Sequence, residues 1–504
     1  MKNLGKILLL IIAISLQSCS TNPGEKKEQK VKPNIVFILG EDMSHDLSCY
    51  GMEGVKTPVL DKLAAEGVMY TNAFGANPIC SPNRSNMMTG VHQNVINAQH
   101  HRSNRDIALA NPYLPITKLL RNEGYTTILG HNKVHGKGKK TDVNFKHTAT
   151  GEWDGVENFG LFDKVGEFNK EDQPFFAQIT LAVSHRGDWW NRIRNRSTHK
   201  VSPDSISLPP YIADTPETRL DWAKYLDQIE YLDSEVDMIM KELEDKGMRE
   251  NTIIIYVGDN GRSNVRGKGY VYDPGLRVPL IIYGPKFVPQ AKVDDRVASS
   301  MDISATILEV AGVDLPEYME AISLLGEKER DYVYSARDLW DEVLEQSRAI
   351  STKDFRYIKN NITEQHYDAH QAYLEFYRPA VHVMRGMNER GELNELQSRF
   401  FGPKQKEEFY DLKNDPFEEN NLIDDPKYKD QIEKLKSYYT DWNTKHHDFG
   451  FDPIIWENCP PPKSVEVIEW LKETKPEVIA TMEKGIEPGF GKYVKALKKS
   501  QEKK

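Results

Sequence analysis

The stretch Asn34–Leu39 reads NIVFIL and runs directly into Gly40-Glu41-Asp42. Such a β-branched apolar run without alternation predicts a strand that is buried on both faces of a parallel sheet. The stretch Ile253–Val257 (IIIYV) repeats this pattern and continues into Gly258-Asp259-Asn260-Gly261. Ligands bind beyond the carboxyl ends of parallel strands, and oxygen-bearing side chains suit Ca²⁺ or Mg²⁺. Each strand end taken alone also fits an ordinary turn.

Further strands and helices alternate along the first 330 residues. The predicted strands are Tyr125–Leu129, Phe175–Val183 and Val278–Tyr283, and the predicted helices are Thr57–Gly67, Ile116–Asn122 and Glu217–Lys246. This alternation predicts an α/β catalytic domain at residues 33–330, with a doubly wound, mostly parallel sheet. Short runs after it predict a smaller C-terminal α+β subdomain at residues 331–460 that contains an antiparallel sheet. A helical, basic and solvated tail is expected at residues 461–504.

The composition is that of a soluble globular protein. Hydrophobic residues make up 39% and charged residues 28% of the 504 residues, which excludes a multi-span membrane protein and wholesale disorder. Asp and Glu outnumber Lys and Arg 76 to 66, so the chain lacks the basic footprint of a nucleic-acid-binding protein. Four cysteines in so long a chain do not form a disulfide framework, and we expect them to have separate roles.

The N-terminus predicts export and anchoring. Lys2 and Lys6 precede the apolar run Ile7–Leu16, which is too short for a membrane span and fits a signal peptide at residues 1–18. Leu16-Gln17-Ser18-Cys19 resembles a bacterial lipobox, with Cys19 as the lipidated residue; an ordinary signal peptide is the alternative. The polar residues 19–32 read as a tether. We therefore expect a lipid-anchored protein of the bacterial cell envelope, periplasmic or on the outer-membrane surface.

The segment Asn77–Gly90 (NPICSPNRSNMMTG) contains Cys80-x-Pro82-x-Arg84 followed by Met88-Thr89-Gly90. It resembles the signature of the formylglycine-dependent sulfatases of the alkaline phosphatase superfamily, in which the cysteine is oxidised to an aldehyde. The resemblance covers most of the chain. It includes PNIVFILGED at 33–42, RVP at 277–279, DISATILEVAG at 302–312 and FYDLKNDPFEENNL at 409–422. It implies an alkaline-phosphatase-like fold and the hydrolysis of sulfate esters.

The resemblance also implies a metal site and a modified nucleophile. Glu41, Asp42, Asp259 and Asn260 would hold Ca²⁺, with Mg²⁺ as the alternative; Glu41 departs from the usual aspartate. A formylglycine-generating (sulfatase-maturating) enzyme would convert Cys80 to formylglycine. One hydroxyl of the hydrated aldehyde would then attack sulfur, while the cation and Arg84 offset its charge.

Further catalytic residues are implied by their positions in the family pattern. His185 matches the histidine that contacts the sulfate or the leaving group, and Lys268 matches the late lysine that binds sulfate. The family's Lys-x-His element has two alternatives here. Lys133-Val134-His135 fits literally, whereas Lys140-Thr141-Asp142 resembles a variant with aspartate in place of histidine. The sequence leaves both open and favours the first.

Two basic and aromatic stretches suggest the substrate. Arginine suits sulfate oxygens, and aromatic faces stack on sugar rings. The predicted substrate-binding residues are His100, His101, Arg102, Arg186, Trp189 and Arg192. They favour a sulfated polysaccharide or a fragment of one, such as a glycosaminoglycan, although a solvated loop with packed tryptophans is the alternative.

Three other functions remain open from the sequence. One is cleavage of N-linked sulfate from glucosamine, since the family branch with this activity has motifs like His92-Gln93 and His100-His101. A second is a phosphodiesterase or phosphonate monoester hydrolase of the same superfamily. The third is a lipid-anchored glycan-binding protein without catalysis, against which the retained Cys80 and Arg84 argue.

Overall fold

The computed structural model describes residues 32–368, 371–459 and 462–502. The signal peptide at residues 1–18, the lipidation residue Cys19 and the rest of the tether before Lys32 lie outside these ranges. Within them, no helix combines the length and the apolar character needed to cross a bilayer.

Fourteen strands occur in the described residues. They are β1 (Asn34–Gly40), β2 (Val68–Phe74), β3 (Thr126–Leu129), β4 (Thr148–Thr150), β5 (Gly160–Phe162), β6 (Lys164–Val165), β7 (Phe175–Leu181), β8 (Thr252–Gly258), β9 (Leu280–Tyr283), β10 (Lys292–Ser299), β11 (Val333–Trp340), β12 (Val343–Ser351), β13 (Phe355–Asn360) and β14 (Glu407–Asp411).

The same ranges contain fourteen α-helices. They are α1 (Pro58–Glu66), α2 (Cys80–Thr89), α3 (Ile116–Asn122), α4 (Trp189–Arg196), α5 (Pro216–Asp245), α6 (Asp273–Leu276), α7 (Asp302–Ala311), α8 (Ala372–Glu375), α9 (Pro379–Glu389), α10 (Glu395–Ser398), α11 (Lys429–Lys445), α12 (Lys463–Thr474), α13 (Pro476–Met482) and α14 (Gly491–Gln501).

The large sheet has eight strands in the order β10-β2-β9-β8-β1-β7-β3-β6. Its central strand β1 runs parallel to both β7 and β8. Of its eight strands, only β9 runs antiparallel to its neighbours, β8 and β2. The predicted α/β fold with a mostly parallel sheet is confirmed.

Helices cover both faces of this sheet. Val36 and Ile38 of β1 pack in one apolar core with α5, whereas Ile35, Phe37 and Leu39 pack in another with α7. This division follows from the alternation of side chains along a strand. The predicted stripe of α5 is buried as expected, and the helix begins with a capping box at Thr215 and with Pro216 in its first turn.

The C-terminal part contains a second, antiparallel sheet in the order β11-β12-β13-β14. Apolar residues of α11 pack against it. The segment after residue 461 differs from the expected solvated tail, because Val467, Leu471 and Leu497 are buried with Phe376 and Tyr377. Val467 and Leu471 share one face of α12, since residues four apart lie on the same side of a helix. The domain boundaries at residues 330 and 460 stay predictions.

Candidate active site

The two acidic strand ends predicted from the sequence lie side by side. β1 and β8 pair in parallel up to Gly40 opposite Gly258, so the residues after them meet at one edge of the sheet. The Asp42 backbone N–H donates to Oδ1 of Asp259 over 3.0 Å, and the Asn260 side-chain amide donates to Oδ1 of Asp42 over 3.1 Å. Asp42 has a left-handed backbone (φ 48°), a conformation uncommon for residues other than glycine and typical of functional sites.

Helix α2 places Cys80 and Arg84 against these strand ends. All ten of its residues are buried. Arg84 donates through Nε to Oδ2 of Asp259 over 2.9 Å and through Nη2 to Oε1 of Glu41 over 3.0 Å. One guanidinium therefore links the carboxylates that follow the two neighbouring strands.

Two lysines complete what we call the strand-end cluster: Glu41, Asp42, Asp259 and Asn260 with Arg84, Lys140 and Lys268. Nζ of Lys268 lies 2.7 Å from Oδ1 of Asp42, and Lys140 forms an ion pair with Glu41. Burial alone would raise the pKa of the Asp42 carboxyl. The positive charge of Lys268 lowers this pKa by a larger amount, so the pKa lies below its usual range. Asp42 is therefore ionised at neutral pH.

The donor set of the cluster fits a divalent cation. Oδ1 of Asn260 is buried without a hydrogen-bond partner, and three carboxylates lie beside it, which are the oxygen ligands that Ca²⁺ and Mg²⁺ take. In the described ranges, no three His, Cys, Asp or Glu side chains are arranged around one metal position. Instead, carboxylate oxygens of Glu41 and Asp42 contact the ammonium groups of Lys140 and Lys268.

Cys80 lies between the cluster and a histidine. Its Sγ is 3.5 Å from Nε2 of His101, whose Nδ1 is 2.7 Å from Oδ1 of Asp341. Burial raises the pKa of the Cys80 thiol, but Lys268 and Lys140 lower it below its ordinary value. The environment of this side chain therefore favours negative charge, as expected for a nucleophile that binds an anion.

His185 lies at the same edge of the sheet, after β7. Its Nε2 is 4.0 Å from Oδ2 of Asp42. Burial lowers the pKa of its imidazole to about 4. Tyr373, which the sequence analysis missed, packs against the His185 ring at 5.7 Å between centroids and donates through its hydroxyl to the Arg186 carbonyl.

Lys133 and His135 lie outside the strand-end cluster. Nζ of Lys133 is 2.5 Å from Oε2 of Glu242 on α5, and the His135 ring lies 5.2 Å from that of Trp189. The turn at residues 136–138, where all three φ angles are near 60°, redirects the chain so that Lys140 reaches Glu41. The structure thus brings in the second sequence alternative, Lys140-Thr141-Asp142, and not the favoured first one.

The predicted substrate segment after His185 is mostly structural. Arg186 is 1% exposed and forms a two-pronged ion pair with Asp221 of α5, at 2.7 and 2.8 Å. The Trp189 indole N–H donates to the Val183 carbonyl over 2.9 Å. Arg192 is exposed and lies near His135. Arg186 and Trp189 therefore hold α4 in place and, against expectation, present no free donor to a substrate.

His100 and Arg102, both predicted to bind substrate, lie in different surroundings. His100 is buried and accepts a hydrogen bond from the Leu339 N–H over 3.3 Å, and burial lowers its pKa to about 4, so it is neutral and structural. Arg102 has a side chain that is 47% exposed, and its Nε lies 3.2 Å from Oδ1 of Asp142. Its backbone N–H donates to Oγ of Ser81, next to Cys80. Arg102 thus lies at the mouth of the site.

Comparisons with known proteins show which family the chain belongs to. The sulfatase family model matches residues 33–313, and the model of the N-sulphoglucosamine sulphohydrolase C-terminal region matches residues 261–368. An ulvan-active sulfatase of Formosa agariphila is 30% identical over 496 residues, covering 87% of this chain and 81% of the relative. The human N-sulphoglucosamine sulphohydrolase is 25% identical over 469 residues, covering 82% and 90%.

Solved structures show the same fold. A protein solved in complex with its substrate D-glucosamine-2-N,6-O-disulfate superposes with a TM-score of 0.57 at 16% identity, covering 84% of this chain and all of that one. The mostly parallel sheet belongs to the alkaline-phosphatase-like fold class. Within that class, the chain belongs to the sulfatase family. Members of this family generally use a formylglycine and a divalent cation, and the predicted enzyme class is confirmed.

Proposed function

We propose that this sulfatase removes sulfate from a sulfated carbohydrate, using a formylglycine made from Cys80 and a divalent cation, Ca²⁺ or alternatively Mg²⁺. The observation that carries the proposal is the convergence of Arg84, Lys140 and Lys268 on the three carboxylates beside Cys80. Three cations balance three carboxylates there. A bound divalent ion would add two positive charges, which suits an anionic sulfate ester and the charge that develops during its transfer.

The residues of the chain would share the work as follows. Arg84 and the two lysines would bind the sulfate oxygens, and the first-turn amides of α2 would point at the same anion. His185, beside Asp42, would contact the sulfate or the leaving group. When present, the cation would polarise the sulfate oxygens and the hydrated aldehyde would supply the attacking hydroxyl.

A sulfated sugar is the substrate class that the surroundings favour. Arg102 and Arg105 lie at the mouth of the site and share Asp142 as partner, so their exposed guanidinium groups can meet further sulfate or carboxylate groups of a glycan. The relatives named for activity on ulvan and on N-sulphoglucosamine support this class. The match to the N-sulphoglucosamine sulphohydrolase C-terminal region favours N-linked sulfate as the second candidate.

The test combines the modification with substrate choice. After coexpression with a formylglycine-generating enzyme, the tryptic peptide containing Cys80 should lose about 18 Da relative to the unmodified thiol. Sulfate release is then measured on 2-N-sulfated glucosamine, on 6-O-sulfated glucosamine and on ulvan fragments, with an aryl phosphate as control. Release from one sulfated sugar is expected. Faster hydrolysis of the phosphate than of every sulfated sugar would contradict the proposal.

We also propose that Cys19 anchors the protein by lipid to the bacterial envelope, as the lipobox-like Leu16-Gln17-Ser18-Cys19 suggests. Labelled palmitate should enter the wild type and not Cys19→Ser. Label in both proteins would contradict an anchor at Cys19.

A further inference from the structure

The side chain of Cys80 has a histidine partner that comes from outside the family's Lys-x-His element. Among the described residues, His101 is the only histidine within hydrogen-bond distance of Sγ of Cys80, at 3.5 Å. His135, in the literal Lys-x-His match, lies against Trp189 instead. The element that does reach the site, Lys140-Thr141-Asp142, carries an aspartate and no histidine.

Asp341 fixes the orientation of His101. Its Oδ1 lies 2.7 Å from Nδ1 of the imidazole, and its Oδ2 accepts from Nε2 of Gln371 over 2.5 Å. When Nδ1 donates to a carboxylate, the other ring nitrogen is left with a lone pair. Nε2, the atom that faces residue 80, is thereby set up to accept a proton.

The fold holds this carboxylate rigidly. Trp340 and Val343 pair across β11 and β12, so Asp341 and Glu342 form a two-residue hairpin turn. Asp341 has φ 52°, which aspartate tolerates in such turns better than most residues. Burial alone would lower the pKa of the His101 imidazole. The negative charge of Asp341 raises this pKa by a larger amount, so the pKa lies above its ordinary value. A more basic imidazole is a better proton acceptor.

We propose that His101 is the catalytic base that takes a proton from the side chain of residue 80, and that Asp341 is its positioning residue. The inference rests on the proposed function and deepens it. His101 was assigned to substrate binding from the sequence alone. Its burial between Cys80 and Asp341 instead assigns it to the reacting side chain.

The proton transfer belongs to the second half of turnover. First, the sulfuryl group would move to one of the two hydroxyl oxygens on Cβ of residue 80, which are those of the hydrated formylglycine. An S–O bond to that oxygen forms, the S–O bond to the sugar breaks, and the hydroxyl proton goes to the sugar oxygen. Nε2 of His101 then takes the proton of the second hydroxyl, whose oxygen forms C=O as the C–O bond to sulfate breaks with its electron pair on sulfate. Water adds to C=O, and the imidazolium returns its proton to solvent.

The test compares His101→Gln and Asp341→Asn with the wild type and with His199→Gln. His199 pairs with Glu230 at 2.8 Å on the exposed surface, so it controls for loss of a histidine–carboxylate pair. On an aryl sulfate, kcat should fall about 10²- to 10⁴-fold in His101→Gln, the range of general base catalysis. It should fall less in Asp341→Asn and stay unchanged in the control.

The products of the two steps, aryl alcohol and sulfate, show whether His101 acts as a base or has only a structural role. His101→Gln should release one equivalent of aryl alcohol in a burst, while sulfate stays bound to the peptide that contains residue 80, as seen by mass spectrometry after quenching. A kcat within about tenfold of the wild type, or parallel loss of alcohol and sulfate release without retained sulfate, would overturn the proposal.

A readout without turnover uses the unmodified Cys80 protein. ¹⁵N-histidine NMR should show a low-field Nδ1–H signal from the His101–Asp341 pair, which is lost in His101→Gln and in Asp341→Asn and kept in His199→Gln. A low-field signal that persists in Asp341→Asn, or that is absent from the wild type, would overturn the positioning role of Asp341. If the wild type released no sulfate from any substrate, the proposed function would be contradicted instead. The NMR comparison would still show whether His101 pairs with Asp341.

Discussion

The strand-end cluster and the interface between α4 and α5 both bring arginines to buried carboxylates, but they do so in different ways. At the interface, each arginine has its own acid: Arg186 pairs with Asp221 and Arg194 with Asp227. In the cluster, Arg84 is shared by Glu41 and Asp259, and Lys140 and Lys268 reach the same place from other segments. The interface pairs join α5 to α4 and to the segment just before it, whereas the cluster gathers charge beside Cys80.

This difference distinguishes an arginine with one carboxylate partner from an arginine that two carboxylates share. The three side-chain nitrogens of Arg186 donate to Asp221 and to the carbonyls of Ser263 and Tyr377, all within the protein. In the strand-end cluster an acceptor is left over, because Oδ1 of Asn260 is buried without a partner. Buried polar groups are normally paired, and this unpaired oxygen is an acceptor that suits a bound cation.

The largest difference in kcat and metal content should appear when one carboxylate is removed from each region. Asp259→Asn should lower kcat about 10³-fold and remove the bound cation, because Asp259 holds both Arg84 and the Asp42 backbone. Asp227→Asn, at the interface, should keep both metal content and kcat in the folded protein. Elemental analysis and sulfate-release kinetics measure the two effects. Equal metal content in both variants would contradict the assignment.

The two lysine alternatives give the next largest contrast. Lys140→Ala should lower kcat/KM about 10²-fold, because it removes a cation that contacts Glu41 and stands near Cys80. Lys133→Ala should change kcat/KM by less than about twofold, since Lys133 pairs with Glu242 on α5. Kinetics on one aryl sulfate decides between them. The reverse order would restore the Lys133-Val134-His135 alternative.

Breaking an interface pair should affect stability rather than chemistry. Arg186→Ala should lower the free energy of unfolding by about 3–5 kcal/mol, because it leaves Asp221 buried without its partner. Urea unfolding measures the loss, and kcat of the remaining folded protein should be unchanged. A stable variant that loses affinity for a sulfated oligosaccharide would instead make Arg186 a substrate ligand.

The smallest effect concerns an acid of α5 that has no cation. Burial raises the pKa of Glu235 to about 7, whereas Glu242, although burial alone would raise its pKa, has it lowered to about 2 by Lys133 and Lys246. A carboxyl with a raised folded-state pKa binds its proton more tightly when folded, so its contribution to stability is lost as pH rises through 7. Glu235→Gln should therefore be more stable than the wild type by about 1–3 kcal/mol at pH 8. At pH 4, below the ordinary pKa of a glutamate, the difference should nearly vanish; an equal gain at both pH values would rule out titration of Glu235.

The sequence predicted the strand ends because their signal is local. An apolar run followed by Glu41-Asp42 or Asp259-Asn260 indicates both the strand and the side chains at its end, and the parallel sheet brings such ends together. Cys80 and Arg84 are likewise one turn apart on one helix. Short sequence patterns therefore indicated the two strand ends, whereas Cys80 and Arg84 were identified by their resemblance to the family signature.

The other parts of the site depend on contacts that no local pattern encodes. Asp341 reaches His101 across 240 positions of sequence, and Asp221 neutralises Arg186 across 35. The left-handed turn at Gly136 and Lys137 decides that Lys140 reaches Glu41. A cluster of arginines in sequence does not indicate which acid each will meet after folding.

The most direct test of the Cys80-centred site is release of inorganic sulfate from a sulfated glucosamine by the matured wild type, Cys80→Ala and Cys49→Ala. Cys49 is a half-buried thiol on a different segment and serves as the matched control. Cys80→Ala should fold with the same melting temperature and show no sulfate release, while Cys49→Ala should stay within about twofold of the wild type. Sulfate release by folded Cys80→Ala within about tenfold of the wild type would contradict a reaction centred on Cys80.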